Sequence, residues 1–207
     1  MKVVAGLYKG RNIEGYNIEG TRPTQDRVKE NLFNIINENI QDKVVLDLFS
    51  GSGNLAIESL SRGAKFAYLV DNNNKSINII KKNINNIGIT NCKVINSNYK
   101  EALNYLIDNS IKIDIVFLDP PYKTNYIEES IDIIVNNNLL NDKGIIICES
   151  DSIDKIVYPE ELKCIKDKKY GDKYIIILKI WYNKYKNRGY IWIIKDLQYL
   201  QFYMVYQ

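Results

Sequence analysis

Histidine is absent from all 207 residues. That removes the commonest general base and the commonest metal ligand, so chemistry here must rest on carboxylates, hydroxyls or backbone groups. Cysteine is scarce: Cys92, Cys148 and Cys164 are odd in number, far apart and form no C-x-x-C pair. That argues against a disulfide framework or a zinc site, and the thiols read as reduced core groups of a cytoplasmic protein. No apolar run approaches the ~18 residues of a membrane span. Residues 1–6 lack the apolar core of a signal peptide. No metal and no membrane partner are expected. Charge of one sign is also missing, since the formal net charge is only +3. A global field drawing in nucleic acid is therefore excluded. Local gatherings remain: Lys2, Lys9 and Arg11 sit without an acid in residues 1–13, and Lys184, Lys186, Arg188 and Lys195 face Asp196 alone in residues 181–207. On charge alone, scattered solvated groups explain these as well as an RNA patch does.

What is present is alternation. Residues 3–5 and 11–14 suggest a short hairpin through Lys9-Gly10. Residues 24–39 read as a helix preceded by Pro23, with Val28, Leu32, Ile35 and Ile36 on one face. Strand runs follow at 43–49, 65–70, 92–95, 113–118, 144–148, 162–168 and 174–180. Helical stretches lie between them at 54–61, 75–87, 100–107 and 127–137, and Gly88 closes the second of these four. Strands separated by helices imply βαβ units and a sheet covered on both faces. The last two strands have only the Gly171-Asp172 turn between them, so they should pair antiparallel. The expected fold is α/β and Rossmann-like: a doubly wound, mostly parallel sheet of about seven strands with an antiparallel edge hairpin. It would occupy residues 1–180, with an N-terminal hairpin and helix over 1–40. Residues 181–207 form an aromatic-rich tail that holds Trp181 and Trp192. An added structural element, an RNA-stacking patch and an extension without selected structure all fit that tail.

Two segments carry chemistry. The first runs from Asp47 through Phe49, Gly51 and Gly53 to Ala56, where a strand passes into a helix. Its glycines permit a sharp turn and close approach of a ligand, at the carboxyl end of the strands where open α/β sheets bind ligands. Asp71 ends the next strand, placed to accept from two ribose hydroxyls. Alone, this pair says only that an adenosine-containing cofactor binds; a tight turn without a ligand is the bland alternative. The second segment is Asp119-Pro120-Pro121-Tyr122, directly after a buried strand. Two prolines cannot continue a strand and form a stiff loop at the same rim. An exocyclic amino group is a poor nucleophile, because its lone pair is delocalised into the ring. The Asp119 carboxylate and the Pro120 carbonyl offer two acceptors for its two hydrogens, favouring a tetrahedral nitrogen in line with a methyl donor. Tyr122 offers a ring on which a flipped base can stack.

These motifs resemble the class I S-adenosylmethionine-dependent amino-methyltransferases, and most closely the RsmD family of 16S rRNA guanine-N2 methyltransferases. The resemblance runs over about residues 3–180. It includes Ala5 to Arg11, the signature Thr21-Arg22-Pro23-Thr24-Gln25-Asp26-Arg27-Val28-Lys29-Glu30-Asn31-Leu32-Phe33-Asn34, and the loop from Asp47 to Glu58 with Ser61 to Ala64. Asn96 to Asn98, the Asp-Pro-Pro-Tyr loop, Glu149-Ser150 and Tyr170 to Asp172 complete it. It implies transfer of one methyl group from S-adenosylmethionine to a guanine N2 of 16S rRNA in the small ribosomal subunit. The implied cofactor set is Asp47, Phe49, Gly51, Gly53, Asp71, Asn72, Asn98 and Tyr99. Asn98 stands where the class usually has an aspartate for the adenine amino group, and its amide oxygen retains an acceptor. The implied nucleic-acid contacts are Lys9, Arg11, Thr21, Arg22, Pro23 and Arg27, although helix-end ion pairing with Asp26 or Glu30 would also account for the arginines. A monomer suffices for all of this.

Three competitors remain. A DNA amino-methyltransferase shares Asp-Pro-Pro-Tyr, but such enzymes usually carry a target-recognition domain for which this chain has no room between its motifs. A nicotinamide-dependent oxidoreductase explains the glycine loop and leaves Asp-Pro-Pro-Tyr without a purpose. An inactive RNA-binding module would not need Gly51, Gly53, Asp71 and Asp119 all intact.

Overall fold

The computed structural model describes residues 1–15, 22–36, 40–121, 124–150, 156–171 and 173–181, with the backbone alone for 22–28. In chain order the elements are α1 (Arg22–Ile36), β1 (Val44–Asp47), α2 (Asn54–Ser61), β2 (Phe66–Asp71), α3 (Asn74–Ile87) and β3 (Cys92–Asn96). Then come α4 (Tyr99–Asp108), β4 (Ile113–Leu118), α5 (Tyr126–Asn136), β5 (Leu140–Ser150), β6 (Leu162–Tyr170) and β7 (Lys173–Ile180). The seven strands form one sheet in the order β3-β2-β1-β4-β5-β7-β6. β1 to β5 run parallel, and β7 is antiparallel to both β5 and β6.

The central strands are apolar at nearly every position because both faces of the sheet are covered. Val45, Leu69, Phe117, Ile147 and Ile177 point into one core, with Phe33 and Ile36 of α1, Ile57 of α2 and Ile80 of α3. Their neighbours Leu46, Val70, Leu118, Cys148 and Ile176 point into the other, with Leu103 of α4 and Ile131 of α5. Ile77, Ile80, Ile84 and Ile87 are all buried along α3. Asn73 accepts from Lys75 N at 2.8 Å at the start of that helix, and Gly88, with φ +85°, closes it.

Several expected boundaries shift. The N-terminal hairpin is reduced to one antiparallel bridge, Lys2↔Asn12. Backbone bonds from Val3 N to Arg11 O, Gly10 N to Val3 O and Ile13 N to Met1 O still join its two arms, while the amides of Val4, Ala5, Leu7 and Tyr8 turn to α2. Pro23 lies inside α1, in the first turn, where a missing N–H costs nothing. Residues 37–39, at the expected end of that helix, lie outside the described residues. β5 extends back to Leu140, which pairs with Ile113 across an irregularity before the regular register resumes at Ile115↔Ile145. β7 inserts between β5 and β6, so the last hairpin meets the sheet through its second strand.

The first fifteen residues are strapped across α2 and α3. Val4 N and Ala5 N donate to the two Glu58 carboxylate oxygens at 2.8 and 3.0 Å. Tyr8 N donates to Ser61 Oγ at 2.9 Å, and that hydroxyl donates to Ala5 O at 2.5 Å. At Gly6 (φ +84°) a Cβ would stand 1.8 Å from the Ser61 carbonyl oxygen, so only glycine lets the strap lie this close. Asn83 accepts from Glu14 N at 2.8 Å and donates to Glu14 O at 2.9 Å and Ser52 O at 3.0 Å. It ties the strap to the glycine loop.

Candidate active site

The site is assembled where β1, β2, β4 and β5 end. After β1 the chain turns on Ser50, whose hydroxyl donates to Asp47 O at 2.7 Å and accepts from Val70 N at 3.0 Å. Gly53 N then closes on Ser50 O at 2.7 Å, and α2 begins. A Cβ on Gly53 would lie 2.9 Å from Leu69 Cδ2, so this glycine serves packing. A Cβ on Gly51 (φ +55°) would meet nothing within 4 Å, which leaves open space over the loop. Asp71, at the end of β2, holds that loop: one carboxylate oxygen accepts from Gly51 N at 2.9 Å, the other from Asn73 N at 2.8 Å. Asn72 is exposed beside it.

Asp47 is buried, and its carboxylate accepts from Ala56 N at 3.3 Å in the first turn of α2. Burial pushes its pKa up to about 7, and the nearby Asp119 and Asp71 carboxylates add to the shift. Asp119 follows β4. The register Leu118↔Cys148 brings Glu149 alongside it, at the end of β5. Burial pushes Asp119 up to about 7 as well; the Glu149 carboxylate raises it further and the Lys173 ammonium opposes. Lys173 is ion-paired to Glu149. Neither the Asp119 carboxylate nor the Pro120 carbonyl accepts a hydrogen bond from a described residue. Pro120 is buried and Pro121 exposed, with Thr124 Oγ1 donating to Pro121 O at 2.9 Å. Tyr122 lies outside the described residues.

Three rings form a wall beside the glycine loop. Phe49 and Tyr126 stack at 6.2 Å with planes 6° apart, and Tyr99 meets them at 5.7 and 4.8 Å. Tyr99 donates to Glu129 at 2.6 Å, which fixes its ring. Asn98 caps α4, its amide oxygen accepting from Glu101 N at 3.0 Å. One of that oxygen's two acceptor positions is therefore already used. Tyr126 was not foreseen; it follows the Asp-Pro-Pro-Tyr loop with no motif of its own. Neither was the Glu149–Lys173 pair, whose only sequence signal was that Glu149-Ser150 resembles the family.

The residues present fit an adenosine-bearing cofactor with a cationic centre. Open space over Gly51 admits it, the ring wall suits a flat base, and the carboxylates of Asp47, Asp71 and Asp119 supply acceptors and negative potential. Of the nucleic-acid candidates, Lys9 and Arg11 are exposed on the strap. Arg22, Pro23 and Arg27 lie in the first turns of α1, described by backbone only, and Thr21 is outside the described residues.

Comparison with known proteins adds the following. Residues 1–179 match the family model of conserved hypothetical protein 95. Ribosomal RNA small subunit methyltransferase D of Haemophilus influenzae is 36% identical over 175 residues, 83% of this chain and 89% of that protein. The solved structure of yhhF from Escherichia coli superposes with a TM-score of 0.76 at 31% identity, covering 87% of this chain and 97% of that one. SMU.776, solved with SAH, shares the fold at 17% identity and a TM-score of 0.61, covering 84% of this chain and 51% of that one. The architecture is that of the class I methyltransferases.

Proposed function

This chain belongs to the RsmD family, and from that premise we propose that it methylates the exocyclic N2 amino group of a guanine in 16S rRNA. The methyl donor in this reading is S-adenosylmethionine, held by Asp47, Phe49, Gly51, Gly53, Asp71, Asn72, Asn98 and Tyr99. It supplies an electrophilic methyl group on a sulfonium. The substrate is the small ribosomal subunit, and the work is done in the cytoplasm by a monomer whose residues 1–180 act as the methyltransferase domain.

The observation that carries this reading is the Asp119 carboxylate, packed at the rim of the glycine loop with no hydrogen bond to a described residue. One amino hydrogen bonds to that carboxylate and the other to the Pro120 carbonyl. The nitrogen lone pair is thereby withdrawn from the ring and directed along the axis of transfer. As the nitrogen becomes tetrahedral it gains positive charge, and its bond to Asp119 strengthens. The surplus proton passes to Asp119, whose proton affinity is raised close to neutrality. Tyr122 stacks on the flipped base. Lys9, Arg11, Thr21, Arg22, Pro23 and Arg27 hold the flanking backbone.

The test is methyl transfer from labelled cofactor to small subunits from a strain lacking the gene, with the modified nucleoside identified by mass spectrometry. One N2-methylguanosine per 16S rRNA is expected. Label in DNA, in another rRNA, or on a ring nitrogen overturns the assignment.

A further inference from the structure

We infer that the outer strand β6 is a second RNA-docking surface, on which Lys166, Lys168 and Lys169 bind the phosphate backbone flanking the target base. The inference rests on the rRNA reading above and extends it to a face that reading does not use. Residues 162–181 hold six lysines, Lys163, Lys166, Lys168, Lys169, Lys173 and Lys179, against Asp167 and Asp172. This run is denser than either of the basic segments at the chain ends.

Topology decides where these lysines lie. β7 enters antiparallel to β5 with Ser150↔Tyr174, so its first residues stand at the edge where β4 and β5 end. β6 runs back along β7 with Tyr170↔Lys173, Lys169↔Tyr174 and Lys168↔Ile175. The carboxyl end of β6 is thus on the Asp119 rim, three strand spacings from β4, about 14 Å away. That is close enough for RNA whose base enters the site to pass over β6 as it leaves. Lys163 belongs to the opposite end of the strand, beside Trp181.

The chemistry of the three lysines also points outward. All three are exposed, and none forms an ion pair with a described residue. The neighbouring Lys173 is instead paired, with Glu149. Lys168 rests over the Tyr170 ring at 5.2 Å and Lys169 over the Tyr174 ring at 5.3 Å. Stacking restrains these side chains without neutralising them. Two stacked, unneutralised cations, Lys168 and Lys169 on opposite faces of the outer strand, with exposed Lys166 two residues before Lys168, complement a polyanion that wraps the sheet edge and stacks its bases on the tyrosine rings. Lysines on an outer strand have a competing purpose, which is to block pairing with another sheet edge. The two purposes predict different losses.

The decisive variant is Lys166→Gln/Lys168→Gln/Lys169→Gln, compared with the triple arginine variant and the wild type. Each is assayed for cofactor affinity, sedimentation, and methyl transfer to small subunits across a salt series. RNA docking predicts a KM at least about tenfold higher for the glutamine variant, and a log–log salt dependence shallower by about two to three. Its single-turnover rate at saturating subunits and its cofactor affinity should match the wild type, and the arginine variant should keep the wild-type KM. An unchanged KM and salt slope, with or without self-association of the glutamine variant, overturns the inference and leaves the rRNA reading standing. Failure of the wild type itself to methylate rRNA overturns both.

Discussion

Glu58 and Asp119 are acids of the same domain with opposite surroundings, the first fully buried and the second half-buried at the rim of the site. Glu58 has no exposed surface and is saturated. It accepts from Val4 N and Ala5 N, meets Lys29 Nζ at 3.3 Å and binds Arg62 Nε at 2.8 Å. Lys29 in turn donates to Lys2 O and Asn54 Oδ1 at 2.7 and 2.8 Å. Asp119 has no such partners among the described residues. Burial and a neighbouring carboxylate oppose its charge instead. A buried acid that the fold uses for itself is surrounded by donors. The acid proposed to serve a substrate is left short of them among the described residues and opens onto the rim instead.

The largest effect should come from breaking the saturated side. Glu58→Ala leaves the buried Lys29 ammonium without its carboxylate and orphans two strap amides. The expected loss is about 3–5 kcal/mol of unfolding free energy, read by urea denaturation. A loss under about 1 kcal/mol would show that the strap is not a structural element.

Asp119→Ala should invert the pattern. Its single-turnover rate should fall on the order of 10²–10³-fold, because the group acts mainly as the nitrogen becomes tetrahedral. Cofactor affinity should hold. Stability should not fall, since no bond to a described residue is lost. Between the ordinary carboxylate value of 3.8 and about 7, the folded chain binds more protons at Asp47 and Asp119 than the unfolded chain does. Wild-type stability therefore declines as pH rises through that window, and the variant should decline less. Normal turnover in Asp119→Ala would sink the mechanism outright.

Asp71 stands between the two extremes, bonded to Gly51 N and Asn73 N yet half exposed at the rim. Asp71→Ala should weaken cofactor binding by about 1–3 kcal/mol, measured by calorimetry, through loss of the ribose acceptor and of the loop's tether. If it costs stability but no affinity, Asp71 belongs with Glu58.

The same contrast explains what could be read in advance. β4 and α2 were legible to the residue, because an apolar run buried on both faces and a helix opened by a glycine turn are local patterns. Asp47, Gly51, Asp71, Asp119 and Pro120 were legible as neighbours because each ends β1 or β2, or closely follows β1 or β4, on the same edge of the sheet. The strap was not legible: Glu58 and its amide partners are more than fifty residues apart, and nothing local marks a glutamate in α2 as fully buried. The insertion of β7 between β5 and β6 was likewise invisible, since strand order depends on long-range pairing. Asn98 was read as an adenine contact, whereas its oxygen also has a helix to cap.

The finest test concerns Glu149 and Lys173, which act on Asp119 with opposite sign. In the proposed mechanism Asp119 works as an ionised acceptor, so the single-turnover rate should rise with pH through about 7. Glu149→Gln removes a negative neighbour and ends the pairing that draws the Lys173 ammonium toward Glu149. Both changes favour the carboxylate, so the rising limb should move to lower pH. Lys173→Gln removes the cation and leaves Glu149 unpaired beside Asp119. Both changes favour the protonated acid, so the limb should move to higher pH. Asp47, which the Asp119 charge pushes up, is untouched in either variant and serves as the common background. A purely structural pair would lower the rate in both variants and leave the limb in place. Shifts in the same direction, or none, would mean that a group other than Asp119 sets the pH dependence. Opposite shifts would assign the titration to Asp119, and would show that an acid left without direct donors is still tuned by the pair beside it.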